Sequence, residues 1–332
     1  MTLTKSTMGW RAGFGSFVST LPRAVVSAGA ATLPFVLGVY LNQVPLGFTA
    51  SFGAYLVVIT YPNLPAPGRA RALAATVFML SFGAVAGAAS AMRVWAFVPL
   101  AVVCATWQGW TEIADSGLRL PAAMSVLALL LSASKRLSPD LAVVTYGAAF
   151  ASGAVWQGLV QYIAACRNSM PIVPPVVNST VLPSSIATAP RFIGTLAALG
   201  FVGGAIAVSL PVPHAGWLLT AALRVMKPTQ AQTLLRLKQR FAGTISGAVF
   251  ATGLLCWPFP ALLYAGTLGV MLTLMQLVGP RRYAVWTFCL TVIALDLNGT
   301  RPQEISWLLG AERILLTIGG LALAILFGSR LP

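Results

Sequence analysis

Glu312 and Arg313 stand side by side in the apolar run from Ile305 to Phe327, where an ionisable side chain is costly and by default serves function. Adjacent residues of a helix point about 100° apart, so each must find its partner on another helix. Asp296 is the second acid set in such a run, near its outer end. An acid withdrawn from water is a candidate proton carrier, so Asp296, Glu312 and Arg313 make a candidate proton-coupling set. The structural alternative is a fixed ion pair of Asp296 with Arg313.

The densest basic cluster is Arg224, Lys227, Arg236, Lys238 and Arg240. Arg236 and Arg240 are four apart and share one helix face. Such a cluster either sets topology and binds lipid headgroups, or forms a cationic mouth that concentrates carboxylates, aided by Arg69 and Arg71. An aromatic carboxylate would also need flat apolar partners, for which Phe48, Phe52 and Trp217 are candidates; interfacial anchoring is the alternative for Trp217. Glu112 and Asp115, beside Trp107 and Trp110, read as solvated loop acids or as a gate. His214, in the turn Pro211-Val-Pro213, reads as exposed and incidental, with outer-face pH sensing as its alternative.

Other chemistries lack their parts. Six acids and one histidine are the whole inventory, so a metal centre is not expected. The chain has no G-x-x-x-x-G-K-[ST] phosphate loop and no Asp-rich magnesium motif. No hydroxyl or thiol sits in a His–acid arrangement, which argues against an enzyme. Cys104, Cys166, Cys256 and Cys289 are far apart and read as small packing residues. No cofactor is expected. The net charge of +15 is spread over the loops rather than gathered on one polar domain, so a nucleic-acid partner is not expected either.

The elements that must hold these residues follow from composition. The chain of 332 residues is 58% apolar and 8% charged, against roughly 25% charged in a soluble domain. Lipid must cover such a surface. Apolar runs of helix-like length lie near 24–41, 46–61, 72–92, 95–110, 120–134 and 141–165, then near 192–210, 216–227, 241–256, 258–278, 284–298 and 305–328. The expectation is an all-α integral membrane protein of about twelve transmembrane helices in two parallel six-helix halves, 23–166 and 191–328. A Pro- and Ser-rich linker, 167–190, separates them. Residues 1–22 precede the first run; Trp10, Phe14, Phe17 and Leu21 repeat there at helical spacing, which suits an interfacial helix, with a loose basic arm as the alternative.

With the N-terminus inside, sixteen basic residues fall on the cytoplasmic side, and only Arg93, Lys135, Arg136 and Arg301 fall outside. That bias puts both ends in the cytoplasm. The halves also echo each other. Pro22-Arg23 matches Pro190-Arg191 at an offset of 168, Pro62 matches Pro228 at 166, and Trp95-Ala-Phe97 matches Trp257-Pro-Phe259 at 162. An even number of helices per copy keeps the copies in one orientation, about an axis along the membrane normal. Gly83 with Gly87, and Gly243 with Gly247, form small faces that suit tight packing of helices 3 and 9 or a wall beside a pathway.

The stretch Trp217-Leu-Leu-Thr-Ala-Ala-Leu-Arg224-Val-Met-Lys227-Pro228, followed by Arg236-x3-Arg240-Phe-Ala-Gly243-Thr244-x2-Gly247-Ala, resembles the fusaric acid resistance protein-like family. That family is related to bacterial aromatic acid exporters and plant aluminium-activated malate transporters. The resemblance is good over roughly 190 to 328 and reaches the first half mainly through the repeat. It implies efflux of small organic anions, often aromatic carboxylates, across a bacterial inner membrane, alongside membrane lipid and a periplasm-spanning adaptor protein. Proton coupling is the expected drive. The alternatives are a passive anion channel of the malate-transporter type and, further off, a membrane enzyme or scaffold.

Overall fold

A computed structural model describes residues 5–60, 66–90, 94–114, 119–134, 142–167, 184–257, 259–279, 282–299, 306–329 and 331. Twelve helices follow one another among these residues: α1 (Lys5–Tyr40), α2 (Val44–Thr60), α3 (Ala66–Ser90), α4 (Val94–Ile113), α5 (Arg119–Ser134), α6 (Val143–Arg167), α7 (Ser184–Ser209), α8 (Gly216–Val225), α9 (Gln230–Leu255), α10 (Ala261–Val278), α11 (Tyr283–Gly299) and α12 (Ser306–Gly328). Helix is the form that satisfies backbone N–H and C=O groups within one segment, as a lipid environment demands. Local signals set several ends. The Thr229 hydroxyl accepts the Gln232 N–H at the start of α9, and Gly279, at φ 65°, closes α10 with its N–H on the Met275 carbonyl.

Two expected boundaries change. The segment before residue 22 and the first apolar run belong to one helix, α1, which continues through Pro22 and Pro34. The expected linker is partly helical, because α7 already begins at Ser184. Five helical stretches are long and apolar enough to cross a membrane: Leu21–Tyr40, Gly68–Ser90, Val143–Arg167, Ala189–Ser209 and Trp307–Gly328. The chain is therefore a membrane protein. By contrast α8 has 10 residues and rises about 15 Å, half the hydrocarbon thickness.

The helices pair in a regular way. In the first half α3 packs on α5, and α2 on α6; in the second, α9 packs on α11, and α8 on α12. Across the halves, α1 packs on α10, α4 on α7 and α5 on α8. One apolar core runs through both halves, joining Phe52, Leu56 and Phe150 to Trp217, Leu272 and Ile293. The glycine faces make two of the close contacts. A Cβ on Gly83 or Gly87 would run into the α5 carbonyls of Ser125 and Leu129, and one on Gly243 or Gly247 into Ala284 and Phe288 of α11. Helices 3 and 9 thus each pack tightly within their own half, as small faces allow.

This geometry yields a stability prediction. Gly87→Val and Gly243→Val should each abolish a monodisperse peak when detergent-solubilised protein is run on size exclusion. Gly253→Ala, where nothing stands within 4 Å, should leave the peak unchanged and raise thermal stability slightly through helix propensity.

Candidate functional site

At 10 residues α8 is too short to span a bilayer, so a passage of the chain at this point would carry the turns at its two ends below the membrane surfaces. Irregular backbone at that depth is tolerated only where protein buries it or where it lines a cavity. Every residue of α8 except Arg224 is buried. His214, on the preceding turn, is 4% exposed. The expectation of an exposed, incidental histidine is thus corrected.

Around α8 the structure gathers arginines on aromatic faces. Arg240 of α9 and Arg313 of α12 are both buried. Arg240 Nη1 donates to the Tyr283 hydroxyl at 3.0 Å, and its Nε has no partner. The Arg313 guanidinium lies 4.7 Å from the centre of the Trp217 ring, and its Nε and Nη1 have no partner. Arg224 lies over Trp286 at 5.6 Å and Arg236 over Tyr283 at 4.5 Å, with the two rings stacked at 6.0 Å. Arg240, Arg313 and Tyr55 of α2 feel one another electrostatically. Cation–π contact eases burial of a guanidinium but does not neutralise it. Among the described residues neither Arg240 nor Arg313 has a carboxylate partner.

Buried hydroxyls lie on the same helices and on their neighbours. Thr220, Thr244, Thr287, Thr291, Thr317 and Tyr55 have hydroxyl oxygens without a partner. Arg240 and Thr244, Thr287 and Thr291, and Arg313 and Thr317 are each four apart, so α9, α11 and α12 each turn one polar stripe inward. Thr220 and Thr244 lie within the family motif, but no threonine was singled out as a site residue from the sequence. The repeated Arg-x3-Thr spacing on two helices was the signal available there.

Beside the cluster, between the halves, lies a cavity of about 30 Å³. Phe48, Phe52, Tyr55, Leu131, His214, Trp217 and four α11 residues line it. It has room for water but not for an aromatic acid, so the site is closed in this conformation. The three aromatics expected to share a pathway, Phe48, Phe52 and Trp217, do meet here. Trp217 is 1% exposed, so it is no interfacial anchor. Trp257 and Trp307 are exposed, as anchors are.

The acids find unexpected places. Asp296 is 1% exposed, and neither carboxylate oxygen has a partner. The fixed Asp296–Arg313 pair is therefore absent. Glu312 instead meets His214: the backbone N–H donates to Oε1 at 3.0 Å, and Nδ1 lies 3.1 Å from Oε2.

Glu112 is not a solvated loop acid. Its side chain is 12% exposed; Arg119 donates to both its oxygens, and Lys227 Nζ reaches Oε1 at 2.6 Å. Burial alone would raise the Glu112 carboxyl, which lies beyond the apolar run of α4. The two cations together outweigh that and hold it below its usual range. The Gln108 amide adds a bond to the Leu223 carbonyl at 3.2 Å. These contacts form a latch between the facing ends of α4 and α5 and the C-terminal end of α8, and Lys227 is part of it. Arg71 is exposed, and Arg69, half-buried at the start of α3, donates to the Ala165 carbonyl at 3.4 Å. Asp115 lies outside the described residues.

Residues 198–327, most of α7 through α12, match the fusaric acid resistance protein-like family. The resemblance carried by the Trp217–Gly247 motif is thereby shown for the stretch that builds the arginine cluster. No curated protein and no solved structure matches the chain.

The latch makes a prediction. Breaking a buried pair by removing one partner strands the other, whereas removing both is nearly neutral. Glu112→Gln and Lys227→Met should each lower the thermal unfolding midpoint by several degrees in detergent, and the double variant should recover most of the loss.

Proposed function

We propose that the protein is an efflux transporter of small organic anions, of the aromatic carboxylate type, in a bacterial inner membrane. One observation carries the reading: two buried guanidinia, without carboxylate partners among the described residues, stand beside an aromatic-lined cavity between the halves. Guanidinium N–H groups left unpaired in a low-dielectric interior are costly, and a carboxylate supplies the matching acceptors. Arg313 and Trp217 are in contact, so an anion on Arg313 places its ring against the cavity aromatics. Arg224 and Arg236, nearer the inner end, would draw the anion toward Arg240 by field focusing. The family matched by residues 198–327 supports membrane transport rather than catalysis.

The transport cycle needs the cavity to open alternately to each side. The Glu112–Lys227–Arg119 latch closes the inner side in this conformation and would part to admit the anion. Twelve spans, with both ends cytoplasmic, remain our topology; α8 completes its passage through the turns that flank it. The matching pairs α3–α5 with α9–α11, and α2–α6 with α8–α12, support a duplicated six-helix unit. Asp296 and Glu312 are the groups we propose to exchange protons during the cycle, with Arg313 between anion and acid. Exposed Arg71 and Lys238 suit lipid headgroups at the inner face, and a periplasm-spanning adaptor would receive the exported anion.

The test is flux from proteoliposomes loaded with labelled benzoate and other carboxylates, with and without a proton gradient. Arg240→Glu and Arg313→Gln should each cut flux at least tenfold while leaving membrane insertion and size-exclusion behaviour intact. Normal flux in either inserted variant would sink the binding role of that arginine. Asp296→Asn should flatten the dependence on the proton gradient; an unchanged dependence would remove Asp296 as a carrier. Current that follows the anion gradient without any proton gradient would favour the passive channel.

A further inference from the structure

His214 is the chain's single histidine, and it is held on two sides. Glu312 clamps both its backbone N–H, at 3.0 Å, and its Nδ1, at 3.1 Å. Its ring stacks on Trp217 with centroids 4.3 Å apart and planes 17° apart. The same indole carries the Arg313 guanidinium at 4.7 Å. His214 and Trp217 both line the cavity between the halves. One carboxylate therefore ties the turn before α8 to α12, and one indole joins that tie to the arginine.

We propose that His214 and Glu312 form a proton-binding site that controls release of the anion toward the outer side. With Glu312 ionised, the Nδ1–H of a neutral imidazole donates to the carboxylate, which leaves Nε2 to accept a proton. Proton uptake at Nε2 breaks no bond, and the net charge of the pair changes by one, from negative to neutral. Two effects follow with one sign. A charge-assisted hydrogen bond is stronger than a neutral one, so the turn is held more firmly to α12. The added positive charge beside Trp217 and Arg313 also favours an anion that stays bound. A proton from the outer side thus slows release, and by linkage a bound anion strengthens proton binding.

Among the described residues no competing acid lies in contact with the ring. From α12 the facing groups are Glu312 and, across Trp217, Arg313. From α2 it is Tyr55, which shares the cavity. From α5 and α11 the cavity receives only Leu131, Leu290, Ile293, Ala294 and Leu297, and Asp296 has no partner. The only charged residue on α7 is Arg191, near its inner end.

An imidazolium quenches an indole stacked on it, so tryptophan emission reads the site directly. Emission of the purified protein should fall as the pH is lowered from about 8 to about 5, the range in which imidazole titrates. His214→Gln should abolish that transition, Glu312→Gln should move it to lower pH, and Trp217→Phe should remove the signal by removing its reporter. The second arm rests on the anion-transport reading: in an Asp296→Asn background, where the dependence on the proton gradient is flattened, benzoate efflux from proteoliposomes should slow several-fold at an outer pH of about 5.5 relative to about 8, and adding His214→Gln should abolish that slowing. A transition that survives in His214→Gln overturns the site, and acid slowing that survives there overturns its control of release. A normal transition without flux of any carboxylate refutes the transport reading while upholding the proton site.

Discussion

A guanidinium inside a lipid-covered protein must be paired, hydrated or bound to an anion, because its charge cannot be lost at ordinary pH. Arg240 and Arg313 meet that requirement with aromatic faces and a tyrosine hydroxyl, and with no carboxylate among the described residues. Much else in the second half is arranged around them. The stripes of α9, α11 and α12 supply hydroxyls without partners, and Tyr55 brings the first half into the same electrostatic neighbourhood. Of the acids among the described residues, Glu112 and Glu312 are paired elsewhere and Asp296 stands apart.

The brevity of α8 makes this arrangement possible. A helix of full length would carry His214 and Lys227 out to the two membrane surfaces. With 10 residues, its flanking turns reach inward, one to Glu312 and the other to Glu112. Each turn is thus tied by a carboxylate, and the cavity lies at the His214 end of the segment between them. The two ties differ in kind. One joins a carboxylate to a guanidinium and an ammonium, whereas the other joins a carboxylate to an imidazole.

The glycine contacts serve the same end at a distance. Close approach of α3 to α5 and of α9 to α11 holds the polar stripes of α9 and α11 near each other, since Gly243 and Gly247 abut Thr287 and Thr291. A larger residue at either glycine would separate the stripes before it altered any charge. Packing and electrostatics are therefore coupled through the same two helices.

Composition and periodicity alone decided that the chain is helical and lives in lipid, because a surface with so few charges cannot be hydrated. The Trp217–Gly247 motif likewise pointed to the family that residues 198–327 match, and the aromatics Phe48, Phe52 and Trp217, which share the cavity, could be picked out by their types. Pairing was not legible. Glu312 could be placed in an apolar run, but only the depth to which the α8 turn sinks decides that it meets His214 rather than Asp296 meeting Arg313. Glu112 read as a loop acid because nothing local distinguishes solvent from Lys227, which lies 115 positions away. The threonine stripes were silent for the same reason, since a helix face is polar or apolar only with respect to what packs on it. Residue types and spacing set which groups need partners; which partner each one finds depends on helix depth and rotation, and those are settled by packing among all twelve helices.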